Sequence, residues 1–167
     1  MAKSAKYWLL KTEPETCSID DILKMSKSTT GWDGVRNYQA RNFLRDELKP
    51  GDSVIIYHSS TNPPHAAGIG EVASQPYPDP SQFNAKHDGY DPKATKEKPI
   101  WFQVDVRAME KFAVPVPLDQ MRNDAALVDM KLFKASRLSV QPVTAAEYKR
   151  IVALGSKTPT AKKRETK

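Results

Sequence analysis

Between Gln75 and Pro99 the chain carries Pro76, Pro78, Pro80, Pro92 and Pro99, with Tyr77, Phe83 and Tyr90 among them. Breakers at that density fit neither a helix interior nor a central strand, because each proline removes a backbone donor and fixes φ. The segment divides the chain into two runs of short elements, and its aromatics give it surface with which to pack down as an ordered loop. An ordered loop of this length inside a compact domain usually carries function.

Before that loop, Tyr7 to Thr12 reads as a strand stopped by the Glu13-Pro14 step. Ser18 with Asp21 makes a capping-box start for a short helix with Ile19, Ile22 and Leu23 on one face. Ser28 to Gly34 reads as a loop holding one large aromatic, Trp32. Asn37 caps a second helix with Ala40, Phe43, Leu44 and Leu48 on its apolar side, and Lys49-Pro50-Gly51-Asp52 ends it. Val54 to His58 is a buried strand by its continuous apolar run, with Ala67 to Ala73 as its antiparallel partner.

Beyond the loop, Ile100, Phe102, Val104 and Val106 alternate with Trp101, Gln103, Asp105 and Arg107, a period-two strand that puts Trp101 on the polar face. Phe112 to Val116 continues the β pattern, Leu118 to Met130 is helical in broken pieces, and Arg137 to Gln141 reads as a last strand. Thr144 with Glu147 caps a terminal helix. Several short strands interrupted by helices, without strand–helix alternation, predict a mixed α+β barrel rather than a Rossmann-like sheet. The 167 residues fit one core, with residues 1–6 and the basic tail 155–167 expected to be flexible.

The net charge of +6 is unevenly placed. Residues 155–167 hold five basic side chains against Glu165, and Lys3 and Lys6 supply the rest, so the body from 7 to 154 is neutral. Such a tail raises affinity for any polyanion through counterion release without reading anything. Within the body, Arg36, Arg41 and Arg45 lie in one stretch without acids, as do Lys131, Lys134 and Arg137 in another; these are the candidate phosphate contacts.

Enzyme signatures are missing. His58, His65 and His87 have no metal-ligand spacing, and the lone Cys17 supplies neither a disulfide nor a thiolate cluster, so no metal is expected. Gly68-Ile69-Gly70 lacks the rest of a dinucleotide fingerprint, and no phosphate loop occurs. His58 beside Ser59 and Ser60 sits on an extended strand, where neighbouring side chains diverge. No apolar run is long enough to span a bilayer and no secretory signal opens the chain, so a cytoplasmic protein is expected, nucleoid-associated or nuclear according to its source.

Trp8 belongs with the core. Trp32, in a polar loop between glycines, and Trp101, opposite the apolar row of its strand, lack a periodic reason to face inward. A nucleobase stacked on an indole is one physical answer, contributing roughly 1–3 kcal/mol per base.

The blocks Tyr7 to Pro14, Trp32-Asp33-Gly34-Val35-Arg36-Asn37-Tyr38-Gln39-Ala40-Arg41-Asn42, Tyr57-His58-Ser59 with Pro63-Pro64, Tyr77-Pro78-Asp79 and Ser136 to Val143 resemble the EVE-domain family in its order over about residues 7–154. The resemblance implies a PUA-like mixed β-barrel of five to six strands flanked by short helices, similar to the YTH domain. It also implies a non-enzymatic module that receives one methylated or hydroxymethylated base of DNA or RNA in an aromatic pocket. Trp32 looks like a cage wall, with Lys11 and Thr12 beside it, Asn37, Tyr38 and Gln39 lining the pocket from the second helix, and Ser59 from the second strand. Trp101 is the candidate second wall. Arg137 and Ser139 resemble the terminal strand that contacts phosphate or base edge, with Arg36, Arg41 and Lys134 as further phosphate contacts.

The partner expected is thus a modified nucleic acid bound by a monomer, without cofactor, metal or membrane. The alternative is an enzyme or enzyme accessory holding a nucleotide or another small metabolite in the same pocket. Fold alone does not decide between them.

Overall fold

The computed structural model describes residues 6–156. Strand β1 (Tyr7–Thr12) leads into helices α1 (Pro14–Cys17) and α2 (Ile19–Lys24) and a three-residue strand β2 (Thr29–Gly31). Helix α3 (Tyr38–Asp46) and strands β3 (Ser53–His58) and β4 (His65–Val72) follow. The proline-rich segment contributes β5 (Tyr77–Pro78), which pairs with β6 (Phe102–Gln103) ahead of the long strand β7 (Asp105–Pro117). Helices α4 (Leu118–Arg122) and α5 (Lys131–Lys134), strand β8 (Val140–Val143) and helix α6 (Ala145–Gly155) complete the chain.

Six strands form one curled sheet in the order β2-β7-β4-β3-β1-β8. Its one parallel pair is β1 and β3, in register from Tyr7 opposite Ser53 to Thr12 opposite His58; every other pairing among the described residues is antiparallel. This is the α+β half-barrel that the sequence predicts.

Both faces of the sheet are covered, which is why β1 and β3 read as continuous apolar runs. Side chains alternate between faces. Trp8, Leu10, Val54 and Ile56 point into one cluster with α2, α3 and Trp32, while Leu9, Ile55 and Tyr57 join Met121, Leu132 and Ile151 under α4, α5 and α6. Buried Asp52 accepts from the Trp8 indole at 2.9 Å and from the backbone amides of Lys6 and Lys49, so the Trp8 ring enters the core with its polar edge satisfied. At Gly68 a Cβ would run into the Glu110 carbonyl and the Ile19 side chain, so glycine lets α2 lie against the sheet.

The caps form as the local sequence predicts. Ser18 and Asp21 make a reciprocal capping box, as do Thr144 and Glu147, and the Asn37 side chain accepts from the Ala40 amide. Three expectations need revision. Thr29 to Gly31, read as loop, pair with Arg107 to Asp105; three residues are too few to show a period. The strand expected over 100–107 breaks at Val104, whose carbonyl accepts from the Trp32 amide, so the alternation holds for Val104 and Val106 but fails for Trp101 and Gln103, which are buried. The last strand starts at Val140 rather than Arg137, leaving Ser136 to Ser139 as a loop. The expectations for the chain ends fall largely on 1–5 and 157–167, outside the described residues. Among the described residues no helix is long and apolar enough to cross a membrane.

Candidate functional site

A cleft of about 940 Å³ opens beyond the carboxyl ends of the parallel strands β1 and β3. Lys11, Thr12 and Glu13 line it from β1, and Ser59 and Ser60 from the turn after β3. The Ser59 amide donates to the Thr12 carbonyl at 2.9 Å, extending the pairing of the two strands by one step. The Thr12 hydroxyl donates to the Cys17 carbonyl at 2.7 Å, which folds α1 back beneath the rim. The opposite walls are the turn from Gly31 to Asn37, the loop of Ser136, Arg137 and Ser139, and His87 with Asp88 from the proline-rich segment.

Trp32 lines this cleft but is only 6 % exposed. The expectation that it has no inward face is therefore corrected. Its amide bond to Val104 extends the β2 ladder and carries the ring into the cluster with Val35, Ala40 and Leu44. The indole forms the floor of the cleft and belongs to the core behind it.

Arg36 also borders the cleft, and its donors point elsewhere. Nε and Nη2 donate to the Gly89 carbonyl, Nη1 to the Val35 carbonyl and the Asp79 carboxylate, and Nη2 also to the Ser81 hydroxyl. Those bonds use all five N–H groups of a guanidinium, leaving none for a phosphate. Arg36 is a rivet between the Trp32 turn and the proline-rich segment, not a phosphate contact. Asp79 is fully buried; burial alone raises its carboxyl, but hydrogen bonds from Ser81, the Gly34 amide and Arg36 outweigh that and hold it below the usual range. Gly34 meets Asp79 with φ of 81°, a conformation that favours glycine.

The same segment is closed at its base by buried Gln82, whose amide donates to the Asp79 and Trp101 carbonyls and whose oxygen accepts from the Ile100 and Trp101 amides. Trp101 is 4 % exposed and does not line the cleft, which corrects its assignment as a second wall. Its indole donates to Asp91 at 2.8 Å, and its ring lies 5.3 Å from the Arg36 guanidinium and 4.8 Å from the Tyr38 ring. Tyr38 therefore turns away from the cleft.

The remaining candidates divide by place. Lys11, Thr12, Asn37, Ser59, Ser139 and Arg137 meet at the cleft. Gln39 instead lines a smaller adjoining cavity of about 290 Å³, together with Asn37 and Arg137. Arg41 lies outside both, donating to the Ile100 carbonyl and the Asn42 side chain. Lys134 is exposed, 3.9 Å from Asp129, and lines neither cavity. Arg137 is exposed and has no hydrogen-bond or ion-pair partner among the described residues.

Lys11 donates to the Ser136 carbonyl at 2.7 Å, tying the first strand to the last loop, and burial lowers the pKa of its ammonium. Burial, then Asp21 and Asp33, raise the Cys17 thiol, which suits a packed side chain and not a nucleophile. No hydrogen bond joins two titratable side chains of the cleft wall among the described residues. The histidine pair lies off the cleft. His58 Nε2 accepts from the Ile19 amide at 3.1 Å, its Nδ1 meets His65 Nε2 at 3.1 Å, and His65 Nδ1 meets the Pro63 carbonyl at 2.8 Å. Burial, then His65, push His58 down from 6.5 to about 4.

Sequence reasoning missed Cys17, Met25, Ser136, His87 and Asp88 in the wall. Ser136 adjoins Arg137 in the segment that resembles the family and shares its signal; nothing local marks the others.

A family profile described as the EVE domain matches residues 6–154. The chain is 37 % identical to human thymocyte nuclear protein 1 over 172 residues, covering 93 % of this chain and 76 % of that protein. A solved structure of a hypothetical protein from Leishmania major superposes with a TM-score of 0.87 at 43 % identity, covering 91 % of this chain and 95 % of that one. The crystal structure of the human THYN1 protein in complex with DNA containing 5-methylcytosine gives 0.87 at 37 % identity, covering 93 % and 100 %. The YTH domain of the Zygosaccharomyces rouxii MRB1 protein, at 0.53 and 16 % identity, shares the fold. With its profile match, its relatives and its half-barrel in agreement, the chain belongs to the EVE-domain family.

Proposed function

We propose that the cleft receives one base of a nucleic acid, methylated or hydroxymethylated, as a non-enzymatic reader. The observation that carries this reading is the composition of the wall. An indole floor, the hydroxyls of Thr12, Ser59 and Ser139, the Asn37 amide and the cations Lys11 and Arg137 surround a space of about 940 Å³, within the usual size of small-ligand pockets. The Ser139 hydroxyl and the Asn37 N–H groups reject a base edge that leaves them unpaired, and an exposed arginine suits the phosphate that follows the base. The relative seen with 5-methylcytosine DNA supports the same class of partner, DNA. The lack of hydrogen-bonded acid–base pairs in the wall favours binding over catalysis.

A buried methyl carbon contributes only about 0.8 kcal/mol, so the shape of the cleft supplies the rest of the discrimination. A base inside a duplex would be flipped out to enter. Such a role places the protein wherever nucleic acid is, in cytoplasm, nucleoid or nucleus.

The test is titration with oligonucleotides that differ in one central base: cytosine, 5-methylcytosine, 5-hydroxymethylcytosine, adenine or N6-methyladenine. One modified base should bind tightest, and Ser139→Ala should reduce that preference. Equal affinity across the panel would refute the reading.

A further inference from the structure

We propose that Tyr38, with Arg41 layered against it, is a second stacking platform outside the cleft that takes the nucleobase next to the one held inside. This rests on the nucleic-acid reading above, but the site is separate from the cleft. At 58 % exposure Tyr38 is the most exposed large apolar side chain among the described residues. It does not project freely. Its ring rests on Trp101 at 4.8 Å with a tilt of 35°, and Trp101 is fixed by Asp91 and lies 5.3 Å from the fully committed Arg36 guanidinium. A ring held this way loses little conformational freedom when a flat partner covers it.

Its neighbours indicate the partner. The Arg41 guanidinium lies 5.0 Å from the Tyr38 ring and is anchored to the Ile100 carbonyl. Asn37, the residue before Tyr38, lines both cavities, as does unpaired Arg137. Residues 36–45 contain no acid. An exposed aromatic beside a cation, without carboxylates in its own segment, matches the stacking surface of a single-strand binding site. Tyr38 directly follows Asn37, which lines the cleft, so along the chain the platform begins one residue from the rim.

The experiment uses a single-stranded DNA heptamer with a central 5-methylcytosine, in which the 5′ or the 3′ neighbour is made abasic. In the wild type, one of the two abasic positions should weaken binding by roughly 5–150-fold, the range expected for one stacked base. Tyr38→Ala should bind the intact heptamer more weakly by a similar factor and show no further loss on the abasic strand. Tyr38→Phe, which keeps the ring, should restore the wild-type penalty. Equal abasic penalties in wild type and Tyr38→Ala, or none in the wild type, would overturn the platform. The free 5-methyldeoxycytidine nucleoside reads the cleft alone: Tyr38→Ala should leave its affinity unchanged, and a loss there would place Tyr38 in the cleft and also overturn the proposal.

Discussion

Arg36 and Arg137 border the same cleft and carry the same charge, and their surroundings give them opposite uses. On one side, Arg36 spends five donors on Val35, Asp79, Ser81 and Gly89 and holds the proline-rich segment in place. On the other, Arg137 stands exposed and unpaired in a loop tethered by Lys11. Donor accounting separates a structural arginine from a ligand-facing one, and charge does not. Long-range hydrogen bonds tie both sides, Arg36 to Gly89 and Lys11 to Ser136, and what differs is that one arginine has spent its donors while the other keeps them open.

Trp32 is the floor common to both sides, and emptying it should have the largest effect. Trp32→Ala is expected to cost about 3–5 kcal/mol of folding stability, measured by chemical denaturation; a change below 1 kcal/mol would mean that the ring is a wall and not part of the core. On the Arg36 side, Arg36→Met should cost about 3 kcal/mol, because it leaves Asp79 buried without its cation. A stable Arg36→Met protein with a lost salt dependence would reverse the roles assigned to the two arginines.

Acid should act unequally on the two sides. Neutral His58 accepts the Ile19 amide and protonated His58 cannot, so its contribution is complete above about 6.5 and is lost as the pH falls toward 4. Asp79 is held below the usual carboxylate range, so the Arg36 rivet stays intact until lower pH. Amide exchange followed by NMR should therefore show Ile19 losing protection before Gly34, and the opposite order would contradict the contrast. The smallest effect on stability belongs to Arg137→Gln, within about 0.5 kcal/mol. Its signature is in binding, where the slope of log affinity against log salt should fall by about 1.

What the sequence revealed depended on distance along the chain. The caps at Ser18, Asn37 and Thr144 were readable because donor and acceptor lie three residues apart. The covered sheet was readable from β1 and β3, since burial on both faces leaves unbroken apolar runs. The places of Trp32 and Trp101 were not, because each is set by long-range contacts: the Trp32 amide bonds to Val104, and Trp101 is held by Gln82, Asp91 and the stack on Tyr38. The family resemblance brought Lys11, Thr12, Asn37, Ser59, Arg137 and Ser139 to one cleft. It did not separate Tyr38 from Asn37, because Asn37 is the extended N-cap residue and Tyr38 the first helical one, and that change of backbone conformation sends the two side chains in different directions.

Lys11 and the Ser136 carbonyl that it reaches are 125 positions apart, and strand β8 completes the sheet on the outer edge of β1. A chain emerging from the ribosome cannot assemble this cleft until nearly all of it has been made, and such nonlocal closure is slow to form. Occupancy of the cleft is therefore a report on the whole fold. A ligand that binds only the finished chain draws the folding equilibrium toward it by mass action, and substitutions far from the cleft that raise the unfolded fraction lower the amount of protein able to bind.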